Sequence, residues 1–186
     1  PGLEYRFYVI NSPTVNAFAL PGGHIYLTRG LIEHTRSGSE LAAALAHEIG
    51  HVAERHGVDK MERQLRTGSL VSMLYNMILG GEPDLLRREA LELGGALWSA
   101  RHSRQAEEEA DEKAIEYLLR AGLDPESIIS LLRKLVAVES TNASNLEGWF
   151  STHPLTTERI TRAEAEIART RQEIPATEEE AVSVLT

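Results

Sequence analysis

The chain has 186 residues, of which 42% are hydrophobic and 25% charged, as in an ordinary globular domain. Its formal net charge of −9 argues against nucleic-acid binding, which depends on lysine and arginine contacts to phosphates. The chain has no cysteine, which excludes disulfides, thiolate metal ligands and cysteine nucleophiles.

The first 28 residues predict a small sheet. Aromatic and β-branched residues over 5–10, 15–20 and 24–28 indicate three short strands. The turn sequences Asn11-Ser12-Pro13 and Pro21-Gly22-Gly23 separate these strands. Because short connections usually join neighbouring strands, we predict a three-stranded antiparallel meander.

From Gly30 onward the hydrophobic pattern has a helical period. Ser37 followed by Glu40 predicts a capping box at the start of a helix that ends at Gly57. Further helices are predicted over about 58–79, 84–101, 107–121, 125–138 and 156–172, with a polar loop over 139–147. The sequence therefore predicts a mainly helical α+β domain over residues 1–172, followed by an acidic linker or tail over 173–186.

The longest apolar run, from Leu70 to Gly81, is too short to span a membrane and contains Ser72 and Asn76. We interpret its first ten residues as core packing or as a cover over a cleft, and a membrane-surface role as the weaker alternative. Membrane proximity is expected only through segments outside these 186 residues. The sequence carries no signal for the oligomeric state.

The most specific pattern is His47-Glu48-Ile49-Gly50-His51. Residues four apart lie on one face of a helix, so His47 and His51 can bind the same metal ion. Zinc is bound by imidazoles in this way, and the adjacent Glu48 can act as general base. The alternative is two surface histidines on an amphipathic helix. The strongly apolar helix and an acidic motif downstream both argue against it.

A catalytic zinc ion takes a third protein ligand and keeps an open position. The extended pattern with a third histidine fails here, because Glu54 and Gly57 stand at its glycine and histidine positions. His56 is one residue out of register, and we expect it to point away from the site.

The third ligand is expected from Glu107-Glu108-Glu109-Ala110-Asp111. Glu107 and Asp111 share a helix face, so Glu107 can bind the metal while Asp111 accepts a hydrogen bond from a ligating imidazole. The alternative is a solvated acidic first turn, stabilised by the helix dipole. We expect that role for Glu108 and Glu109.

These motifs resemble the gluzincin metallopeptidases of the HtpX and CAAX-prenyl-endopeptidase type, metallopeptidase family 48, and among them the soluble BepA-like branch. The resemblance also covers the segment from Asn16 to Leu31, the pairs Ala121-Gly122 and Asp124-Pro125, and His153-Pro154 with Arg159-Ile160. It extends over about residues 5–165, with four separate motifs in the same order.

The resemblance implies a role for each matching residue. One zinc ion per chain would be bound by His47, His51 and Glu107. Glu48 would be the general base and later the proton donor to the leaving amine, and Asp111 would orient His47.

The resemblance also implies a substrate-binding strand and a second catalytic histidine. The edge strand that pairs with the substrate backbone would be Asn16, Ala17, Phe18 and Ala19. His153 would lie close to the zinc as an extra ligand or as a stabiliser of the oxyanion, and Arg159 would position that region.

We therefore expect a zincin-like endopeptidase that hydrolyses extended or unfolded polypeptides in the bacterial periplasm or cell envelope. One alternative is a latent, zinc-holding peptide-binding module whose site is closed by His153. The other alternative is a zinc hydrolase that acts on small molecules. The remaining histidines, His34, His56 and His102, are expected at the surface or in caps.

Overall fold

A computed structural model describes residues 3–66, 102–139, 149, 152–154 and 157–173. It confirms the predicted α+β class, a mainly helical domain with a small sheet. The strands are β1 Arg6–Ile10, β2 Ala17–Leu20 and β3 His24–Thr28. The helices are α1 Arg29–His34, α2 Gly38–Ala53, α3 His56–Arg66, α4 Arg104–Arg120, α5 Glu126–Glu139 and α6 Thr157–Glu173.

Several predicted segments lie outside the described residues. They are the helix over 84–101, the apolar second half of the helix over 58–79, most of the loop over 139–147 and the tail beyond 173. None of the described helices is both long and apolar enough to cross a membrane.

The sheet is mixed, so the prediction of an antiparallel meander is wrong. β2 and β3 form the expected antiparallel pair, but β1 pairs in parallel with β3, in the order β1-β3-β2. The connection from β1 to β2 crosses the end of β3. There the Ser12 carbonyl accepts the N–H of Gly30 at 2.9 Å, and the Asn16 carbonyl accepts that of Thr28 at 3.0 Å.

Gly30 permits this crossing. A Cβ atom at this position would lie 2.1 Å from the carbonyl oxygen of Pro13. Only a glycine lets the two backbone segments approach so closely. The result places β2 at one edge of the sheet, next to helix α2.

Helix α2 packs against α4, α5 and β2 and forms the centre of the core. The Ser37 side chain accepts the N–H of Glu40 at 3.2 Å, as a capping box requires. The Glu40 carboxylate, however, accepts the N–H of Arg36 at 2.8 Å instead of the N–H of Ser37. The helix therefore begins where we predicted, but the second hydrogen bond of the capping box goes to the residue before the N-cap.

Helix α2 ends earlier than predicted. Its last residue is Ala53, and Arg55 adopts a left-handed φ of 58°. Helix α3 then begins at once with His56, so Gly57 lies inside α3 and is no cap. This sharp reversal directs His56 back toward the end of α2.

Gly50 sets the distance between helices α2 and α4. A Cβ atom on Gly50 would lie 2.8 Å from the Ala110 carbonyl oxygen and 3.2 Å from Lys113 Cβ. The helix backbones are thus in direct contact at this point.

We predict that Gly50→Ala destabilises the fold by about 1–3 kcal/mol, because α4 must move away from α2. Urea unfolding followed by circular dichroism measures this change. Gly38→Ala is the matched control in the same helix, because a Cβ there meets nothing within 4 Å. It should be neutral or slightly stabilising, since alanine has the higher helix propensity. Equal stabilities of the two variants would contradict the role of Gly50.

Candidate metal centre

Two helices bring the predicted metal ligands together. Helix α2 presents His47 and His51 one turn apart, and the first turn of α4 presents Glu107. The Nε2 atoms of His47 and His51 are 3.1 Å apart. Glu107 Oε2 lies 3.5 Å from His47 Nε2, and Glu107 Oε1 lies 3.4 Å from His51 Nε2. All three side chains are buried.

The spacing of these atoms fits a tetrahedral metal ion. Two donors bound to zinc at 2.0–2.1 Å are separated by about 3.3 Å when the angle at the metal is tetrahedral. The three observed separations lie within a few tenths of an ångström of that value. The donor set of two imidazoles and a carboxylate is also one that zinc accepts.

His153 completes a cluster of four potential ligands with the other three residues. Its Nδ1 lies 3.0 Å from Glu107 Oε1 and 3.4 Å from His47 Nε2. Its Nε2 lies 3.3 Å from Glu48 Oε1. Within the described residues, the buried atoms His153 Nε2 and Glu48 Oε1 have no hydrogen-bond partner, so both remain available to a polar ligand.

Asp111 and Arg159 form a layer behind the ligands. Asp111 Oδ1 lies 2.9 Å from His47 Nδ1. Arg159 donates from Nε and Nη2 to the two Asp111 oxygens at 2.7 Å each, and its Nη1 lies 2.6 Å from Glu107 Oε2. It also donates to the carbonyl of Pro154 at 3.1 Å. One guanidinium thus neutralises two buried carboxylates and holds the backbone beside His153.

Burial and pairing shift the pKa values of the imidazoles in opposite directions. Burial alone would lower the pKa of His47, but hydrogen bonds with Asp111 and Glu107 outweigh it and raise the value to about 9. Burial lowers the pKa of His51 to about 3, against an opposing hydrogen bond to Glu107. A metal ion bound at His47 would therefore have to displace a proton, whereas His51 would bind as the neutral form.

The carboxylates are held in the ionised form. Burial would raise the pKa of Glu107, but the charges of His153 and Arg159 keep it well below the usual range. Burial would likewise raise the pKa of Asp111, and Arg159 and His47 lower it. Ionised carboxylates are the forms that bind a cation and that accept a hydrogen bond from a ligating imidazole.

Two histidines that we expected at the surface or in caps contact the candidate ligand His51. His56 is buried, with Nδ1 2.9 Å from His51 Nδ1 and Nε2 2.8 Å from Glu109 Oε2. His102 is partly buried and stacks on the His51 ring, with centroids 4.0 Å apart. The prediction that His56 points away is wrong because the left-handed Arg55 interrupts the helical register.

The two glutamates expected in a solvated first turn are both paired. Glu109 pairs with the buried His56 at 2.8 Å, and Glu108 forms an ion pair with Arg162 at 2.7 Å. His34 is the partly buried last residue of α1.

Trp149 is a further part of the site that sequence analysis missed. Its carbonyl accepts the N–H of His153 at 2.8 Å, and its ring lies 4.8 Å from that imidazole. The spacing of four residues between Trp149 and His153 was the available signal, because such residues face each other on a helical turn.

A cavity of about 310 Å³ lies between strand β2, the end of α2 and the start of α3. Its apolar lining includes Leu20, Val52 and Val58. Its polar lining includes Glu48, His51, His153, His102 and Lys60. Burial lowers the pKa of the Lys60 ammonium. The cavity thus joins an apolar wall to the candidate metal ligands.

Strand β2 borders this cavity with an edge that pairs with no other strand in the described part of the chain. Asn16 accepts the N–H of Thr28, and hydrogen-bonded pairs alternate along an antiparallel ladder. The backbone N–H and C=O groups of Phe18 therefore face β3, whereas those of Ala17 and Ala19 point away from it. Ala17 is fully buried, whereas Ala19 is partly exposed and lines the cavity.

Comparisons with known proteins agree with the geometry. The profile of Peptidase family M48 matches residues 1–167. The putative beta-barrel assembly-enhancing protease of Vibrio cholerae is 35% identical over 162 residues, which cover 84% of this chain and 33% of that protein. The beta-barrel assembly-enhancing protease of Yersinia pestis is 37% identical over 164 residues, covering 86% of this chain and 34% of that protein.

A eukaryotic protein is also similar to the chain. The mitochondrial metalloendopeptidase OMA1 of Arabidopsis thaliana is 32% identical over 153 residues, which cover 82% of this chain and 30% of that protein. The chain therefore spans about one third of the length of the relatives that it matches.

Proposed function

The chain belongs to peptidase family M48, and from that membership we propose that it is a zinc-dependent endopeptidase that cleaves internal bonds of extended or unfolded polypeptides. The observation that carries this proposal is the convergence of three buried donors, His47, His51 and Glu107, at the separations that a tetrahedral zinc ion requires. The open cavity beside them supplies room for a substrate.

The donor geometry supports a zinc site. His47, His51 and Glu107 would hold the ion, and Asp111 would keep His47 in the orientation that directs Nε2 toward it. When bound, zinc supplies Lewis-acid chemistry, because it polarises the scissile carbonyl and makes a water molecule more acidic. Arg159 keeps Glu107 and Asp111 ionised.

Glu48 is the general base in this proposal. It follows His47 in the sequence and is buried, and burial raises its pKa. A carboxylate of raised pKa is a stronger base, so it removes a proton from the attacking water and later donates it to the leaving amine. His153, whose Nε2 lies 3.3 Å from Glu48 Oε1, is proposed to stabilise the oxyanion that forms on the substrate.

We predict that Glu48→Gln binds zinc like the wild type but loses turnover by about 10²–10⁴-fold, the usual contribution of a general base. Metal analysis of the purified protein and digestion of unfolded casein, each with and without chelator, measure the two properties. Glu108→Gln is the control, because Glu108 pairs with Arg162 outside the site and should leave turnover unchanged. Full activity of zinc-loaded Glu48→Gln would refute the assignment.

The substrate is proposed to add a strand to β2. Extended peptides commonly bind sheet edges through main-chain hydrogen bonds. The outward N–H and C=O of Ala19 beside the cavity support this mode, as does the buried Asn16 Oδ1, which has no hydrogen-bond partner among the described residues. Because recognition runs through the backbone, the substrate class is unfolded polypeptide rather than one specific sequence.

Ala19→Pro tests this binding mode. Proline at an edge removes only an outward N–H, so the sheet should survive while kcat/KM on unfolded protein falls by about tenfold. Ala19→Ser keeps the N–H and should behave like the wild type. Equal kcat/KM values for the two variants, both folded by circular dichroism, would exclude pairing at this position.

We place this activity in the bacterial periplasm or cell envelope, on the basis of relatives whose names refer to beta-barrel assembly. The proposed partner is a polypeptide substrate, with no role for nucleic acid in this acidic domain.

A second candidate function is a latent, zinc-holding peptide-binding module. The position of His153 favours it, because a fourth protein ligand would close the metal site.

Latency predicts that His153→Ala raises peptidase activity, since it opens the fourth position. A role in oxyanion stabilisation predicts the opposite, a loss of about 10²–10³-fold in kcat. Casein digestion by zinc-loaded His153→Ala decides between the two.

A further inference from the structure

We infer that His56 and Glu109 are positioning residues for the metal ligand His51, which they hold through the hydrogen-bonded chain Glu109–His56–His51. This inference rests on the proposed zinc site. It assigns a purpose to two residues that neither bind the metal nor touch the substrate in the proposed mechanism.

For a neutral His56, the chain of contacts determines which ring nitrogens carry hydrogens. An ionised Glu109 can only accept, so His56 Nε2, 2.8 Å from Glu109 Oε2, must carry a hydrogen. A neutral His56 then has Nδ1 as an acceptor. His51 Nδ1 lies 2.9 Å from that atom and therefore donates to it. The lone pair of His51 is thus left on Nε2, the atom that faces His47 and Glu107.

This arrangement parallels the one behind the other imidazole ligand. His47 places its Nδ1 2.9 Å from the carboxylate of Asp111. His51 reaches a carboxylate as well, but through one intervening imidazole. Partners of this kind fix the ring orientation and tautomer of a ligating histidine, and their loss typically weakens metal binding by about 10–100-fold.

The turn between α2 and α3 brings His56 to His51. The reversal at Arg55, with its left-handed φ of 58°, returns His56 to the last turn of α2. A non-glycine residue in the left-handed region is strained, and the surrounding contacts must compensate for it. At the other end of the chain of contacts, Gln105 donates to Glu109 Oε1 at 2.8 Å and holds the carboxylate in place.

The first experiment measures the zinc Kd of the full 186-residue chain by competition with a chromophoric chelator. His56→Phe keeps the buried ring but removes both nitrogen atoms, and we expect its Kd to rise by about 10–100-fold. His56→Gln retains an acceptor and a donor and should recover part of this loss. A smaller rise is expected for Glu109→Gln, because an amide still accepts from His56.

Two control variants separate positioning from packing. His102→Phe keeps the ring that stacks on His51, and its Kd should stay within about threefold of the wild-type value. Glu108→Gln removes a neighbouring carboxylate that pairs with Arg162, and its Kd should not change.

A second readout needs no variant. Long-range ¹H–¹⁵N correlation spectra of the zinc-free wild type should show His51 as the Nδ1–H tautomer and His56 as the Nε2–H tautomer. An Nδ1–H tautomer of His56, or a wild-type Kd for folded His56→Phe, would overturn the inference. Failure of the wild type to bind zinc at all would instead overturn the proposed function. The tautomers of the wild type decide the question if His56→Phe does not fold.

Discussion

The close approach of helices α2 and α4 is the constraint on which the site depends. Gly50 and Ala110 bring the two backbones into contact, and this contact sets how far the imidazoles of α2 lie from the carboxylate of α4. The ligands therefore need no flexible loop to meet. Their spacing is a property of helix packing, and rigid elements hold a metal site more precisely than loops do.

The same approach creates an electrostatic problem that the fold must solve. Glu48, Glu107 and Asp111 are all buried within a short distance of one another, and an unpaired buried charge is costly. Arg159 compensates two of them directly through its forked guanidinium. Burial raises the pKa of Glu48, and within the described residues no guanidinium forks onto it as Arg159 does onto Asp111. The carboxylates thus differ in environment, which suits them to different roles.

The sequence predicted those parts of the site that depend on local periodicity. The pairs His47/His51 and Glu107/Asp111 lie four apart on single helices, so their shared faces could be read directly. Two features that it missed depend on the backbone between regular elements. His56 is five residues from His51 and meets it only because Arg55 breaks the register. The strand order likewise depends on a backbone crossing at Gly30, for which strand propensity carries no information.

The backbone around His153 is tethered on both sides. On one side the Thr152 carbonyl accepts the N–H of His102 at 2.9 Å, and on the other the Pro154 carbonyl accepts from Arg159. Both tethers lead to residues that themselves flank the metal cluster, one at the entrance to α4 and one on α6. A displacement of the backbone at His153 would break both hydrogen bonds. A rotation of the imidazole about its own side-chain bonds would leave both intact, so the ring can change direction while its backbone stays fixed.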